Sequence, residues 1–233
     1  NNLIGKNLGE FIDSHDIVCR INSSYIISEE LQKDYGKRCD VLFNTCNTLL
    51  LCVLKRHRKY IENCKLVINP AWCTHEGDYK INQKNVYENY CLYGFSNIPF
   101  YNVKNNNNLK INGTNREWFI DKKYKKYLFA NTGIASIIFL QHLKNMNSLY
   151  ICGFSFYNIK IKHEKNYDTY LFDKKSYLCN CSNEFPCKKR SDSVLLSANH
   201  YVNKNNENNC LRMFKELYEK NKDFITIHKS IEN

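Results

Sequence analysis

The sequence predicts an α/β fold, a mostly parallel sheet covered by helices on both faces. Short apolar runs of strand length alternate with segments of helical apolar spacing, the order that builds parallel strands joined by helical crossovers. The chain has 233 residues, 43% of them hydrophobic, enough for one large domain, 1–233, with a proper core. No apolar run reaches the roughly eighteen residues of a membrane-spanning helix.

Asp16 to Ile21 reads as a buried strand, short, apolar and rich in Val and Ile. Cys39 to Phe43, after the turn Tyr35-Gly36-Lys37-Arg38, reads as a second. Thr48 to Tyr60 has helical spacing and a basic end, which suits a helix C-terminus. Lys65 to Ile68 is a third strand, stopped by Asn69-Pro70. Ile98 to Val103 is a weaker strand, followed by the loop Asn105 to Asn108, and Arg116 to Leu128 is read as an aromatic-rich helix. Asn131-Thr132-Gly133 then precedes a helix from Ile134 to Leu143, and Ser148 to Cys152 forms a strand ending in Gly153-Phe154. Residues 157–197 are polar, aromatic and irregular; so long a stretch in a compact domain suggests a functional lid or an insertion. Glu207 to Lys220 is a helix and Phe224 to Ile227 a last strand.

The net charge is +11, with Asn, Lys, Ile and Tyr over-used. AT-rich coding, of the kind large DNA viruses and protists carry, explains this without function. Attraction of an anionic partner explains it too. Nucleic acid is disfavoured, because Lys and Arg are scattered and no nucleic-acid motif accompanies them. Twelve cysteines do not have the spacing of a small stapled scaffold. Cys19, Cys52 and Cys152 sit in apolar runs and are expected as buried thiols. Cys179, Cys181 and Cys187 lie in a polar segment, where free thiols or a local disulfide are favoured over zinc. Sequons at Asn22, Asn112 and Asn180 arise easily in so Asn-rich a chain.

The run Ile12-Asp13-Ser14-His15-Asp16-Ile17-Val18-Cys19-Arg20-Ile21-Asn22 resembles the core of the L motif of the animal-type sialyltransferase family. Asp34-Tyr35-Gly36-Lys37-Arg38-Cys39-Asp40-Val41 is similar to the stretch that follows that motif. Asn131-Thr132-Gly133-Ile134-Ala135, with Leu149-Tyr150-Ile151-Cys152-Gly153-Phe154, resembles the family's S motif. Ser197-Ala198-Asn199-His200, followed by Glu207, resembles its VS motif. The blocks occur in the family's order.

The resemblance implies a Rossmann-like, GT-A-like single domain and an inverting, metal-independent glycosyltransferase. Its donor would be CMP-sialic acid or a similar CMP-sugar, a substrate rather than a cofactor, and its acceptor a glycan hydroxyl. Asn2, Asn22, Asn131, Thr132, Gly133, Gly153 and Phe154 would contact the donor. A helix N-terminus at Thr132-Gly133 offers free N–H groups and a positive dipole end to an anion. An ordinary N-cap has the same local sequence. His200 would be the general base, since imidazole titrates near neutrality and the acceptor hydroxyl must lose its proton. Glu207 would orient it or cap its own helix, and His163 would face the leaving phosphate. His15 and His142 are read as structural.

Departures from the family pattern are informative. Six residues, 201–206, separate His200 from Glu207, more than the family pattern has. The front of the L motif, a strand and its donor-contacting turn, is expected to precede residue 1. The cysteine position of the family's L-to-S disulfide falls at Lys144, which implies that the bridge is missing and favours a reducing compartment over a Golgi lumen. Two other readings stay open: a CMP-Kdo-type transferase of the same fold, and a catalytically inactive glycan- or nucleotide-binding relative. The oligomeric state is not legible.

Overall fold

A computed structural model of the chain describes residues 3–22, 24–46, 48–70, 90–91, 93–102, 132–141, 143, 145–154 and 209–228. They fall into two compact units, residues 3–102 and residues 132–228. Each has its own parallel sheet and its own core, so the α/β class holds and the described strands form two sheets rather than one.

The first unit is a four-stranded parallel sheet in the order β1 (Cys19–Ile21), β2 (Val41–Phe43), β3 (Leu66–Asn69), β4 (Phe100–Asn102). Adjacent parallel strands require a crossover, and the sequence supplies helices for it. Helix α2 (Glu29–Tyr35) lies between β1 and β2, and α3 (Thr48–Arg56) between β2 and β3. A short helix, α1 (Gly9–Asp13), precedes β1 and packs on α2. Leu42 and Val67 are fully buried at the sheet centre and pack with Leu51 and Leu54 of α3. Tyr90, Phe95 and Phe100 extend this core as an aromatic cluster, with ring centroids 4.6 Å apart for Tyr90–Phe100 and 5.5 Å for Tyr90–Phe95.

Two glycines set the geometry around α1. A Cβ on Gly9 would collide with the backbone carbonyl of Gln32, so this glycine lets α1 lie directly on α2. Gly36 ends α2 at φ +69, a left-handed conformation that glycine adopts without penalty.

The second unit pairs β5 (Leu149–Ile151) with β6 (Ile225–Ile227) in parallel, with α4 (Thr132–Gln141) and α5 (Asn209–Lys220) packed beside each other. Residues 132–140 of α4 are all buried. A helix apolar on every side belongs inside a fold, and Ile134, Ile137 and Ile138 pack there with Ile151, Phe214 and Ile225. Each such side chain contributes about 1.5–3 kcal/mol by leaving water.

The predicted elements recur with shorter bounds. The expected strand from Asp16 begins only at Cys19, because the carbonyls of His15 and Asp16 accept from the Arg38 guanidinium in place of a neighbouring strand. The expected helix Thr48 to Tyr60 breaks at His57 (ψ 27) into α3 and a 3₁₀ turn, Arg58–Ile61. Helices α1 and α2 were not expected. Cys19 and Cys152 are half-buried rather than buried. Cys19 lies on the edge strand of its sheet, and Cys152 just past the end of β5. The buried thiols among those described are instead Cys39, Cys46 and Cys64, and these three with Cys19, Cys91 and Cys152 are free. Cys52's side chain, the Cys179–Cys187 cluster, the helix at 116–128 and the irregular stretch 157–197 lie outside the described residues. No helix among the described residues is long and apolar enough to cross a membrane.

Candidate active site

The C-terminal edge of the first sheet carries the site's best-defined residue. β1 ends at Ile21, and Asn22 turns the chain with φ +49, a left-handed conformation uncommon outside glycine. Three hydrogen bonds hold it. Its N–H donates to Phe43 O at 2.6 Å, its carbonyl accepts from Asn44 Nδ2 at 3.4 Å, and its side-chain Oδ1 accepts the Thr45 N–H at 3.3 Å. The partners are the last residue of β2 and the two that follow it, so this end of β2 dictates where Asn22 stands.

The register extends this into a row. Ile21 lies opposite Phe43, Phe43 opposite Ile68, and Ile68 opposite Tyr101. The next residue on each strand is Asn22, Asn44, Asn69 and Asn102. Every described strand of this sheet therefore meets an asparagine at its C-terminal edge, where ligands bind in open α/β sheets. Asn44 and Asn69 are buried at 1% and 2% exposure, so they are built into the edge rather than displayed on it. The sequence reading singled out only Asn22; the repeated pattern of apolar strand followed by Asn was the available signal.

The L-motif run behind Asn22 is held by charged side chains spent on backbone. Asp13 accepts the N–H groups of Lys37 and Arg38 at 2.8 and 3.1 Å. The buried Arg20 donates to Tyr35 O at 2.6 Å and Arg38 O at 3.0 Å. Asp40 accepts the Val18 N–H at 2.8 Å and pairs with Arg38 at 2.7 Å. These bonds dock the loop after α2 onto the motif and fix the approach of β1. His15 Nδ1 lies 2.9 Å from Phe11 O and its ring packs edge-on against Phe11, which fits its structural reading.

The second unit carries Thr132, Gly133, Gly153 and Phe154. Thr132 is the first residue of α4, not its cap, and is 8% exposed. Its carbonyl accepts from Ser136 Oγ at 2.6 Å, within the first turn. Gly133, the second helical residue, is buried. A helix start in general offers first-turn N–H groups to an anion, and Thr132 and Gly133 occupy that start. Gly153 follows β5 with φ +70, turning the chain so that Phe154 packs against the core shared by α4 and β5. Asn2, Asn131, His163, His200 and Glu207 lie outside the described residues, as does His142. Helix α5 is described from Asn209, and the expected start at Glu207 lies outside the described residues. Among the described residues no three His, Cys, Asp or Glu side chains form a group that could hold a metal ion.

Comparison with protein families supplies what local geometry does not. The model of glycosyltransferase family 29 (sialyltransferase) matches residues 1–182. The chain belongs to this family. Comparison with curated proteins and with solved structures finds no match. The family 29 match spans the L-motif run and both S-motif blocks and ends before His200 and Glu207. The parallel sheet with its crossover helices is Rossmann-like, as the resemblance implied.

Proposed function

We propose that this family 29 protein transfers sialic acid, or a related 2-keto sugar acid, from a CMP-activated donor to a glycan hydroxyl with inversion, on a GT-A-like scaffold. The observation that carries the reading is Asn22, held by three hydrogen bonds at the C-terminal edge of a parallel sheet, within a family 29 match. Its amide suits the cytosine or ribose of CMP. Thr132 and Gly133 suit the phosphate or the donor carboxylate, with Asn2, Asn131, Gly153 and Phe154 completing the donor contacts. His200 takes the acceptor proton as the hydroxyl attacks the anomeric carbon, and Glu207 orients that imidazole. The CMP phosphate departs from the opposite face through an oxocarbenium-like transition state, with His163 against its developing charge. The leaving group is CMP, and the reading assigns no role to a metal or cofactor.

The test is transfer by the purified protein from a panel of CMP-sugars, CMP-sialic acid and CMP-Kdo among them. Turnover with one donor, lost in His200→Ala with CMP binding retained, supports the reading. Full activity of His200→Ala overturns the mechanism. The long interval between His200 and Glu207, lying past the end of the family match, favours one second reading: a nucleotide- or glycan-binding relative without turnover. CMP binding with no transfer from any donor identifies it.

A further inference from the structure

Asn44 follows β2 as Asn22 follows β1, and its side chain bridges two residues with left-handed backbones. Oδ1 accepts the N–H of Cys46, φ +51, at 2.7 Å. Nδ2 donates to the carbonyl of Asn22, φ +49, at 3.4 Å. A backbone N–H only donates, so the Asn44 atom facing Cys46 is the oxygen, and the nitrogen faces Asn22. The same logic makes the Asn22 atom facing Thr45 N its oxygen. Asn44 is itself fixed to the sheet, its N–H donating to Ile68 O at 2.8 Å. A left-handed backbone is costly for Cys46 and persists only where its surroundings hold it; asparagine tolerates it better, so at Asn22 the bond fixes which of its accessible conformations the corner keeps. One buried asparagine supplies part of that constraint to both corners.

We propose that Asn44 is a positioning residue of the donor site: it holds Asn22 in its left-handed corner and so sets the direction in which the Asn22 amide meets the nucleotide. This rests on the reading of Asn22 as a CMP contact. Asn44 acts through Asn22 and does not touch the ligand. A contact group already held in its bound geometry loses little freedom on binding, and that preorganisation is what Asn44 contributes.

The test titrates the purified full chain with CMP by calorimetry and follows thermal unfolding on the same samples. Asn44→Ser keeps an acceptor for the Cys46 N–H and loses the donation to Asn22. It is expected to bind CMP about tenfold more weakly while remaining folded. Asn44→Asp also keeps the Cys46 acceptor but sets a carboxylate against the Asn22 carbonyl, and is expected to bind at least as weakly as Asn44→Ser. Because Asn44 acts through Asn22, the double variant Asn22→Ala/Asn44→Ser is expected to bind no more weakly than Asn22→Ala alone. Wild-type affinity in Asn44→Ser, beside weakened binding in Asn22→Ala, overturns the positioning role alone. So do effects that add in the double variant. Wild-type affinity in Asn22→Ala, or no CMP binding by the wild-type chain, overturns the reading of Asn22 and the role of Asn44 with it.

Discussion

The Arg38 guanidinium donates to the Asp40 carboxylate at 2.7 Å. The same side chain donates to the carbonyls of Asp13, His15 and Asp16 at 2.5, 2.6 and 3.1 Å. One residue after α2 therefore closes off the end of α1 and the approach to β1. A guanidinium has five N–H donors in a planar fork, and an ammonium does not reproduce that geometry. Arg38→Ala is expected to cost about 2–3 kcal/mol, because it removes one donor from a mostly buried carboxylate, which keeps the Val18 N–H, and one from each of three carbonyls. Arg38→Lys restores only part of it. Denaturant midpoints measure both; a loss below about 0.5 kcal/mol in Arg38→Ala would place the network among exposed ion pairs of little worth.

Asp34 makes the first unit sensitive to acid. The backbone N–H groups of Gly5 and Asn7 donate to its carboxylate, each at 2.8 Å, and hold its carboxyl below the usual range despite burial. A depressed folded value means the contribution is fully present above the unfolded value of about 3.9 and is lost as pH falls through the folded value. Melting temperature against pH is expected to fall more gently below about pH 4 in Asp34→Asn than in the wild type. The variant is less stable at neutral pH, since an amide cannot accept both N–H groups with both of its side-chain ends. Parallel pH profiles of the two proteins would contradict this.

Gly36 and Gly5 separate strain from collision. Both have positive φ, +69 and +75, and Gly36 with ψ 174 sits in a region that almost only glycine adopts, so its backbone term is the larger. A Cβ on Gly36 would meet the Asp13 carboxylate, while one on Gly5 has nothing within 4 Å. Gly5→Ala is expected to cost about 1 kcal/mol, the conformational term alone. Gly36→Ala is expected to cost about 2–4 kcal/mol, because it also displaces a carboxylate serving two backbone N–H groups. Equal losses in the two variants would remove Asp13 from the explanation.

The sequence was most legible where apolar residues cluster. All six described strands were expected near their places, because Val, Ile and Leu runs have little alternative to burial. Their ends were not legible, since Asp16 read as the start of a strand until Arg38, more than twenty residues later, takes its carbonyl and that of His15. Helix α2 escaped notice because its charged face, Glu29, Glu30 and Lys33, hides the spacing of its buried residues Asp34 and Tyr35. Asn22 was legible through a motif. Asn44 was not, because its role depends on the register that sets β2 beside β1, and register is a property of paired strands. The charged residues of the L-motif run were visible as letters, but their backbone partners lie 15 to 25 positions away.

The buried thiols yield a last prediction, an order of reactivity. Cys39 and Cys64 each lie two residues before the registered pair Val41 and Leu66, on adjacent strands. The neighbouring thiols titrate apart, Cys39 pushed up and Cys64 pulled down, while each donates to a backbone carbonyl, Cys39 Sγ to Val41 O at 3.9 Å and Cys64 Sγ to Leu66 O at 3.3 Å. Burial alone pushes Cys46 up, whereas burial together with the nearby Asp40 carboxylate and Cys64 raises Cys19 to about 12. The thiolate is the nucleophile, so its population sets the rate where access is comparable. In the folded chain, iodoacetamide is expected to alkylate Cys64 before Cys39, with Cys46 modified only as the first unit unfolds. Peptide mass spectrometry over a time course reads the order, and Cys39→Ser is expected to alter the Cys64 rate while leaving that of Cys46 unchanged. Alkylation of Cys46 as fast as Cys64 below the unfolding transition would show that desolvation does not protect it.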